Sequence, residues 1–202
     1  MAQAYTGATA VGVRVNDGVV LAAEKRVSYG GFVMSKSARK VFLITERLGI
    51  ACAGLFADLQ AVGRMLEAEV RFYEVSLKRT MRTAAAAKLL ANILYSYKLF
   101  PLISETLVGG IDDEGPHLFV LDPVGSVIED DYAAVGSGAP IAIGVIEGEY
   151  RKDASLEEAK QLTVKAVRVA MERDASSGDG IDILVISRDG VSEESITVKR
   201  TF

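Results

Sequence analysis

Gly7-Ala8-Thr9-Ala10-Val11-Gly12-Val13-Arg14-Val15-Asn16-Asp17-Gly18-Val19-Val20-Leu21-Ala22 is the stretch on which the reading of this chain turns. Val11, Val13 and Val15 alternate with Gly12 and Arg14, which is the period of a half-buried strand. Asn16-Asp17-Gly18 is a turn signal ahead of a second β-rich run. A hairpin is predicted. Working outward, Val41 to Ile44 and Ile50 to Ala53 flank the polar Thr45-Glu46-Arg47 and predict a second hairpin. Asp58 is expected to cap a helix carrying Leu59, Val62, Met65, Leu66, Val70 and Tyr73 at spacings of three and four. Thr83 is expected to cap another, from Ala84 to Leu99, which Pro101 stops. Strand signals return over Thr106 to Ile111, Leu118 to Leu121 and Val127 to Val135. A short helix follows Gly138 as far as Tyr150, and the capping box Ser155-Leu156-Glu157-Glu158 opens a longer one to about Glu172. Ile181 to Ser187 and Glu194 to Lys199 read as closing strands. Strands and helix pairs in this order, joined by hairpins, imply an α+β fold in which antiparallel sheets form a sandwich covered by helices on both faces.

The composition narrows the function. A chain of 202 residues, half of them hydrophobic, is one domain with a sizeable core. Its net charge of −4 provides no basic field for nucleic acid or an anionic membrane. Cys52 is the single cysteine, which excludes an internal disulfide and suits a reducing compartment, so a cytoplasmic location is expected. Met1 to Gly7 has no basic or apolar region of the signal-peptide kind, and no window reaches about 18 apolar residues in a row, so neither export nor membrane spanning is expected. His117 is the single histidine and has no partner at metal-ligand or triad spacing, so it reads as a surface residue at a strand start. No metal or cofactor is expected. The mean hydropathy of +0.24 suits large subunit interfaces or a well-filled core.

Beyond Gly7 to Val13, further blocks follow in order. They are Asn16 to Arg26, Lys36-Ser37-Ala38-Arg39-Lys40, Ala53-Gly54-Leu55-Phe56-Ala57-Asp58, Leu107 to Asp112, Ala134-Val135-Gly136-Ser137-Gly138 and Arg173-Asp174-Ala175-Ser176-Ser177-Gly178. Each is weak by itself, but the ordered set is specific. It resembles a proteasome β subunit of archaeal type, in the N-terminal nucleophile hydrolase family. The resemblance implies a four-layer αββα sandwich, a propeptide-like segment over 1–7 and a single domain over 8–202. In that family a Gly-Thr bond is cut and the freed threonine attacks the substrate carbonyl; here Ala8 stands at the threonine's place, and a methyl group cannot attack.

The resemblance also implies roles for the polar residues. Lys40 matches the lysine that works with the terminal amine as proton acceptor and field source, and Glu24 the acid that orients it. Arg26, Ser137, Asp174 and Ser177 match the surrounding positions, and Gly54 the glycine whose N–H helps form the oxyanion hole. Val27, Ala38, Cys52 and Phe56 fall where the family builds the pocket for the residue preceding the scissile bond. Read singly, Glu24-Lys25-Arg26 is equally a solvated charge run, Lys40 one end of a basic cluster, Asp174 a loop residue and Cys52 a small buried hydrophobe. Thr9 is a second candidate nucleophile after a shifted cut, but it lies one step along a strand whose side chains alternate faces, so its hydroxyl is expected to point away from Lys40.

The implied partners are proteasome α subunits, other β subunits including a catalytic sibling, and unfolded polypeptides delivered by an ATPase regulator. Two origins fit Ala8, a natural silent lineage or a threonine replaced by design, and Ala10, where many active relatives carry threonine, points to the first. A two-ring hexameric peptidase activated by an unfoldase is the runner-up of the same fold. A purely structural ring subunit is the alternative from another class. Because cleavage before residue 8 needs a hydroxyl that alanine lacks, intact mass should show Met1 or Ala2 at the N-terminus of the purified chain. Loss of Met1 to Ala8 would instead make Thr9 the terminal nucleophile.

Overall fold

A computed structural model of the chain describes residues 7–29 and 31–198. The first hairpin forms as predicted, with β1 (Ala10–Val15) paired antiparallel to β2 (Gly18–Glu24) through Ala10↔Ala23 to Val15↔Gly18. A short hairpin that the sequence pattern did not announce follows, β3 (Val27–Tyr29) and β4 (Phe32–Ser35), with no buried side chain to generate an alternating signal. Next come β5 (Val41–Thr45), β6 (Leu48–Gly54), α1 (Phe56–Leu77), α2 (Thr83–Ser96), β7 (Ser104–Asp112), β8 (Gly115–Leu121), β9 (Val127–Glu129) and β10 (Tyr132–Val135). The chain continues with α3 (Ala139–Glu149), α4 (Leu156–Arg173), β11 (Gly180–Ser187) and β12 (Gly190–Thr197). The capping box is formed, with the Ser155 hydroxyl accepting from the Glu158 amide and the Glu158 carboxylate from the Ser155 amide. Lys199, the expected end of the last strand, lies outside the described residues.

Two five-stranded antiparallel sheets result, one ordered β10-β1-β2-β11-β12 and the other β5-β6-β7-β8-β9. The period of two along each strand sorts its side chains between layers. On β1, Ala10 joins the cluster between the sheets while Val11, Val13 and Val15 pack with α3 and α4. On β6, Ala51 and Ala53 face the other sheet while Ile50 and Cys52 pack with α1 and α2. This is the four-layer αββα sandwich. Small residues floor the inter-sheet space so that Leu21, Leu107, Leu118 and Leu184 can fill it. A Cβ at Gly109 would lie 2.8 Å from Val19 Cγ1, so a side chain there would force the sheets apart.

Four expectations need correction. Asp58 is not an N-cap: α1 begins at Phe56 with Leu55 capping it through backbone alone, and the Asp58 carboxylate, inside the first turn, accepts from the Ile103 amide at 2.8 Å. Thr83 is the first residue of α2 and not its cap; its N–H donates to the Asp112 carboxylate at 3.0 Å, so a side chain on β7 supplies the capping acceptor. The helix ends at Ser96, short of Leu99. Val127 to Val135 is not one strand but two in different sheets, divided at Asp130-Asp131, where the Arg14 amide donates to the Asp131 carbonyl and the Arg14 guanidinium pairs with Asp131. Leu118 is fully buried between the sheets. Leu118→Ala should therefore destabilise the fold by about 2–5 kcal/mol, read as a lowered denaturation midpoint.

Candidate active site

The polar residues that the sequence scattered over 170 positions meet at one end of the sandwich, where β1 begins and the turns after β2, β10 and α4 converge. Glu24, the last residue of β2, is fully buried, and Lys40 is almost so. Lys40 Nζ donates to Glu24 Oε1 and to the Arg26 carbonyl. Glu24 Oε2 accepts from the amides of Arg26 at 2.7 Å and Gly178 at 3.0 Å, and Oε1 from the Thr9 amide at 3.4 Å. Burial, the larger influence, pushes the Glu24 carboxyl above its ordinary range, while the Lys40 ammonium and the Gly178 and Arg26 amides pull the other way. Every one of these neighbours is a donor, so the site is shaped for the carboxylate.

A second group closes around residue 8. The Ala8 amide donates to Ser137 Oγ at 3.2 Å, and the Gly138 amide donates to the Ala8 carbonyl at 3.3 Å. Ser137 Oγ donates to Asp174 Oδ2 at 2.6 Å and Ser177 Oγ to the same oxygen at 2.7 Å. Thr9 Oγ1 lies 2.7 Å from Ser177 Oγ; since the one Ser177 proton is directed at Asp174, the Thr9 hydroxyl is the donor. Ala8, Thr9, Glu24, Lys40, Ser137, Asp174 and Ser177 are thus one connected network. Arg26 belongs to it through its backbone, while its guanidinium holds the loop after α4 by donating to Asp179 and to the Ala175 carbonyl.

Residues 8 and 9 point in opposite directions. Ala8 faces the inter-sheet cluster with Ala53 and Val41. Thr9 is fully buried on the other face, and a Cβ at Gly138 would lie 2.0 Å from its hydroxyl and 3.1 Å from the Ala170 methyl of α4. Gly7 is in a place that excludes any side chain, since a Cβ there would come within 2.0 Å of Ser176 Cβ.

Gly54 ends β6 with a φ of +142°, against the Ile103 carbonyl. Of the four pocket candidates, Phe56 packs on the cluster that contains Cys52, Val27 is half-buried on β3, and the Ala38 amide is tied to the Lys25 carbonyl. Cys52 is fully buried in the core cluster with α1 and α2, and burial pushes its thiol up to about 12, so it is no nucleophile. His117 is not a plain surface residue: Nδ1 contacts Glu129 at 2.8 Å and the ring stacks over Phe119. Among the described residues no cluster of His, Cys, Asp and Glu could hold a metal ion, and no helix is long and apolar enough to cross a membrane.

The sequence reading missed Gly178 and Asp179. Gly178 acts through its amide, which leaves no mark in a sequence; Asp179, at a φ of +72°, had the cue of the turn-forming Gly178-Asp179-Gly180.

Residues 4–186 match the family model described as proteasome subunit. The chain belongs to the proteasome subunit family. It is similar to proteasome subunit beta 1 of Ignicoccus hospitalis, 63% identical over 184 residues, covering 91% of this chain and 92% of the relative. Proteasome subunit beta 1 of Hyperthermus butylicus is 61% identical over 198 residues, with 96% and 97% covered. Proteasome subunit beta 2 of Thermofilum pendens is 54% identical over 187 residues, with 93% and 92% covered.

Within this proteasome-family chain the Glu24–Lys40 pair invites a direct test. Glu24→Ala leaves the Lys40 charge buried without its carboxylate and should cost about 3–5 kcal/mol of stability in denaturant titration. Adding Lys40→Met should recover part of that loss. A Glu24→Ala chain as stable as the parent would show that the pair bears no structural weight.

Proposed function

We propose that this chain is a catalytically silent β-type subunit of a proteasome core particle, a ring component of a threonine-type proteolytic chamber whose own site lacks only its reacting atom. The observation that carries the reading is Ala8: it sits at the focus of a satisfied polar network, with its amide on Ser137 and its carbonyl on Gly138, yet presents a methyl group. With threonine at this position, its freed α-amine and Lys40 would work together as proton acceptor and field source, with Glu24 orienting the lysine. Ser137, Asp174 and Ser177 would hold the amine released by cleavage after Gly7, and the Gly54 amide would receive the developing oxyanion. Val27, Ala38, Cys52 and Phe56 would shape the pocket before the scissile bond.

Thr9 is structural in this reading. Its hydroxyl proton is directed at Ser177, which is no base, and the side chain lies under α4 on the face away from Ala8. Residues 1–7 remain attached as a propeptide-like segment, of which residues 1–6 lie outside the described structure. The chain acts in the cytoplasm, assembled with α subunits and with a β sibling that supplies threonine to the shared chamber, where unfolded polypeptides fed by an ATPase regulator are cut. Exposed apolar side chains on two separate parts of the surface, Tyr29, Phe32 and Met34 on β3–β4 and Leu99 and Phe100 beyond α2, suit such ring contacts.

Ala8→Thr is the decisive substitution. In particles assembled with α subunits it should restore cleavage after Gly7 and raise peptide hydrolysis by about 10⁴-fold or more over the parent, in a form blocked by a threonine-directed inhibitor. Particles that assemble yet stay silent would show that the chain serves the ring by structure alone.

A further inference from the structure

Residue 8 is cradled by the turn between β10 and α3. Ser137 Oγ takes its N–H, the Gly138 amide binds its carbonyl, and Gly136, at a φ of +93°, presses so closely that a Cβ there would lie 2.1 Å from the Ala8 carbonyl oxygen. That turn belongs to the sheet containing β1. What fixes it from the opposite sheet is Glu105.

Glu105 is the second residue of β7 and pairs across the ladder with Ala53, next to Gly54. The period of two decides where its side chain goes. Ser104 and Thr106 are buried and bonded to each other, and Leu107 lies in the inter-sheet cluster, so Glu105 shares the inner face with Leu107 at the open end of the sandwich. From there its carboxylate accepts the Gly136 N–H at 2.7 Å. The residue is exposed, so neither burial nor apolar packing accounts for a carboxylate spent on a backbone amide. β7 also braces the other half of the site: the Ile103 carbonyl, just before the strand, accepts from the Leu55 amide at 2.8 Å and abuts Gly54.

We propose that Glu105 is a positioning residue of the proteolytic site, clamping the Gly136-Ser137-Gly138 turn across the sandwich so that Ser137 is held at residue 8 and faces Asp174. This rests on the reading of residue 8 as the nucleophile position. Glu105 touches neither residue 8 nor the residues bonded to Glu24; it acts through the Gly136 amide, and an acceptor oxygen is all that the role requires. Glutamine keeps that oxygen and alanine does not.

The test is made in assembled particles of the Ala8→Thr chain. Glu105→Ala should lower kcat by on the order of 10- to 100-fold, the scale of an ångström-sized misplacement, with KM little changed and the denaturation midpoint close to the parent's. Glu105→Gln should recover most of kcat. A kcat within about twofold of the parent for Glu105→Ala would overturn the proposal, as would a Glu105→Gln variant no better than the alanine one. Hydrogen exchange in the unaltered Ala8 background separates this from the wider reading. Glu105→Ala should speed exchange of the Gly136, Ser137 and Gly138 amides and of Ala8, and Glu105→Gln should restore it. If Ala8→Thr particles prove inactive while exchange responds in this way, the catalytic reading fails and the clamp stands; unchanged exchange removes the clamp.

Discussion

A carboxylate with no access to water governs this end of the molecule. Glu24 closes β2, and its two oxygens gather Lys40 from the strand entry before β5, Arg26 from the chain leaving β2, Gly178 from the loop after α4 and Thr9 from the start of β1. Moving a carboxylate and an ammonium out of water costs several kcal/mol each, and only a complete set of partners offsets that cost. Four separate segments are thereby obliged to meet at one point. The loop carrying Asp174 and Ser177 is fixed as a consequence, because Gly178 cannot reach Glu24 without bringing those residues up to Ser137 and Thr9.

The sandwich makes such a point possible. Between the sheets the floor is alanine and glycine with leucines interleaved, which brings two strand ends close. The buried polar groups at that end are satisfied by one another and by backbone amides. Further along β1, away from this end, Arg14 ties Glu129 and Asp131 where the chain passes from one sheet to the other, so the sandwich is closed by charge at both ends and by aliphatic packing between.

The parts of the fold legible in the sequence are those where side chains alternate between two layers. The β1–β2 and β5–β6 hairpins and the Ser155 box were readable because pattern, turn and cap coincide within a dozen residues. The β3–β4 hairpin was not, since most of its side chains are exposed or half-buried and no face is selected. The caps assigned to Asp58 and Thr83 failed for different reasons: Asp58 lies inside the first turn with its carboxylate taken by the Ile103 amide, whereas Thr83 is itself the first helical residue and a side chain on a distant strand, Asp112, serves its amide. The site residues were placed by an ordered resemblance and not by periodicity. Backbone amides such as Gly178 and Gly136, on which the charged side chains depend, were silent because every residue but proline offers the same group.

The opposed faces of residues 8 and 9 carry one more consequence. Ala8 contributes a methyl to an apolar cluster, whereas Glu24, Lys40, Asp174 and Ser177 tie chain segments together. Residue 8 holds the fold through its backbone amide and carbonyl, which any side chain leaves in place, whereas the charged residues hold it through side-chain atoms that no smaller residue supplies. The charged residues at this end are therefore held in place by the architecture whatever side chain stands at residue 8.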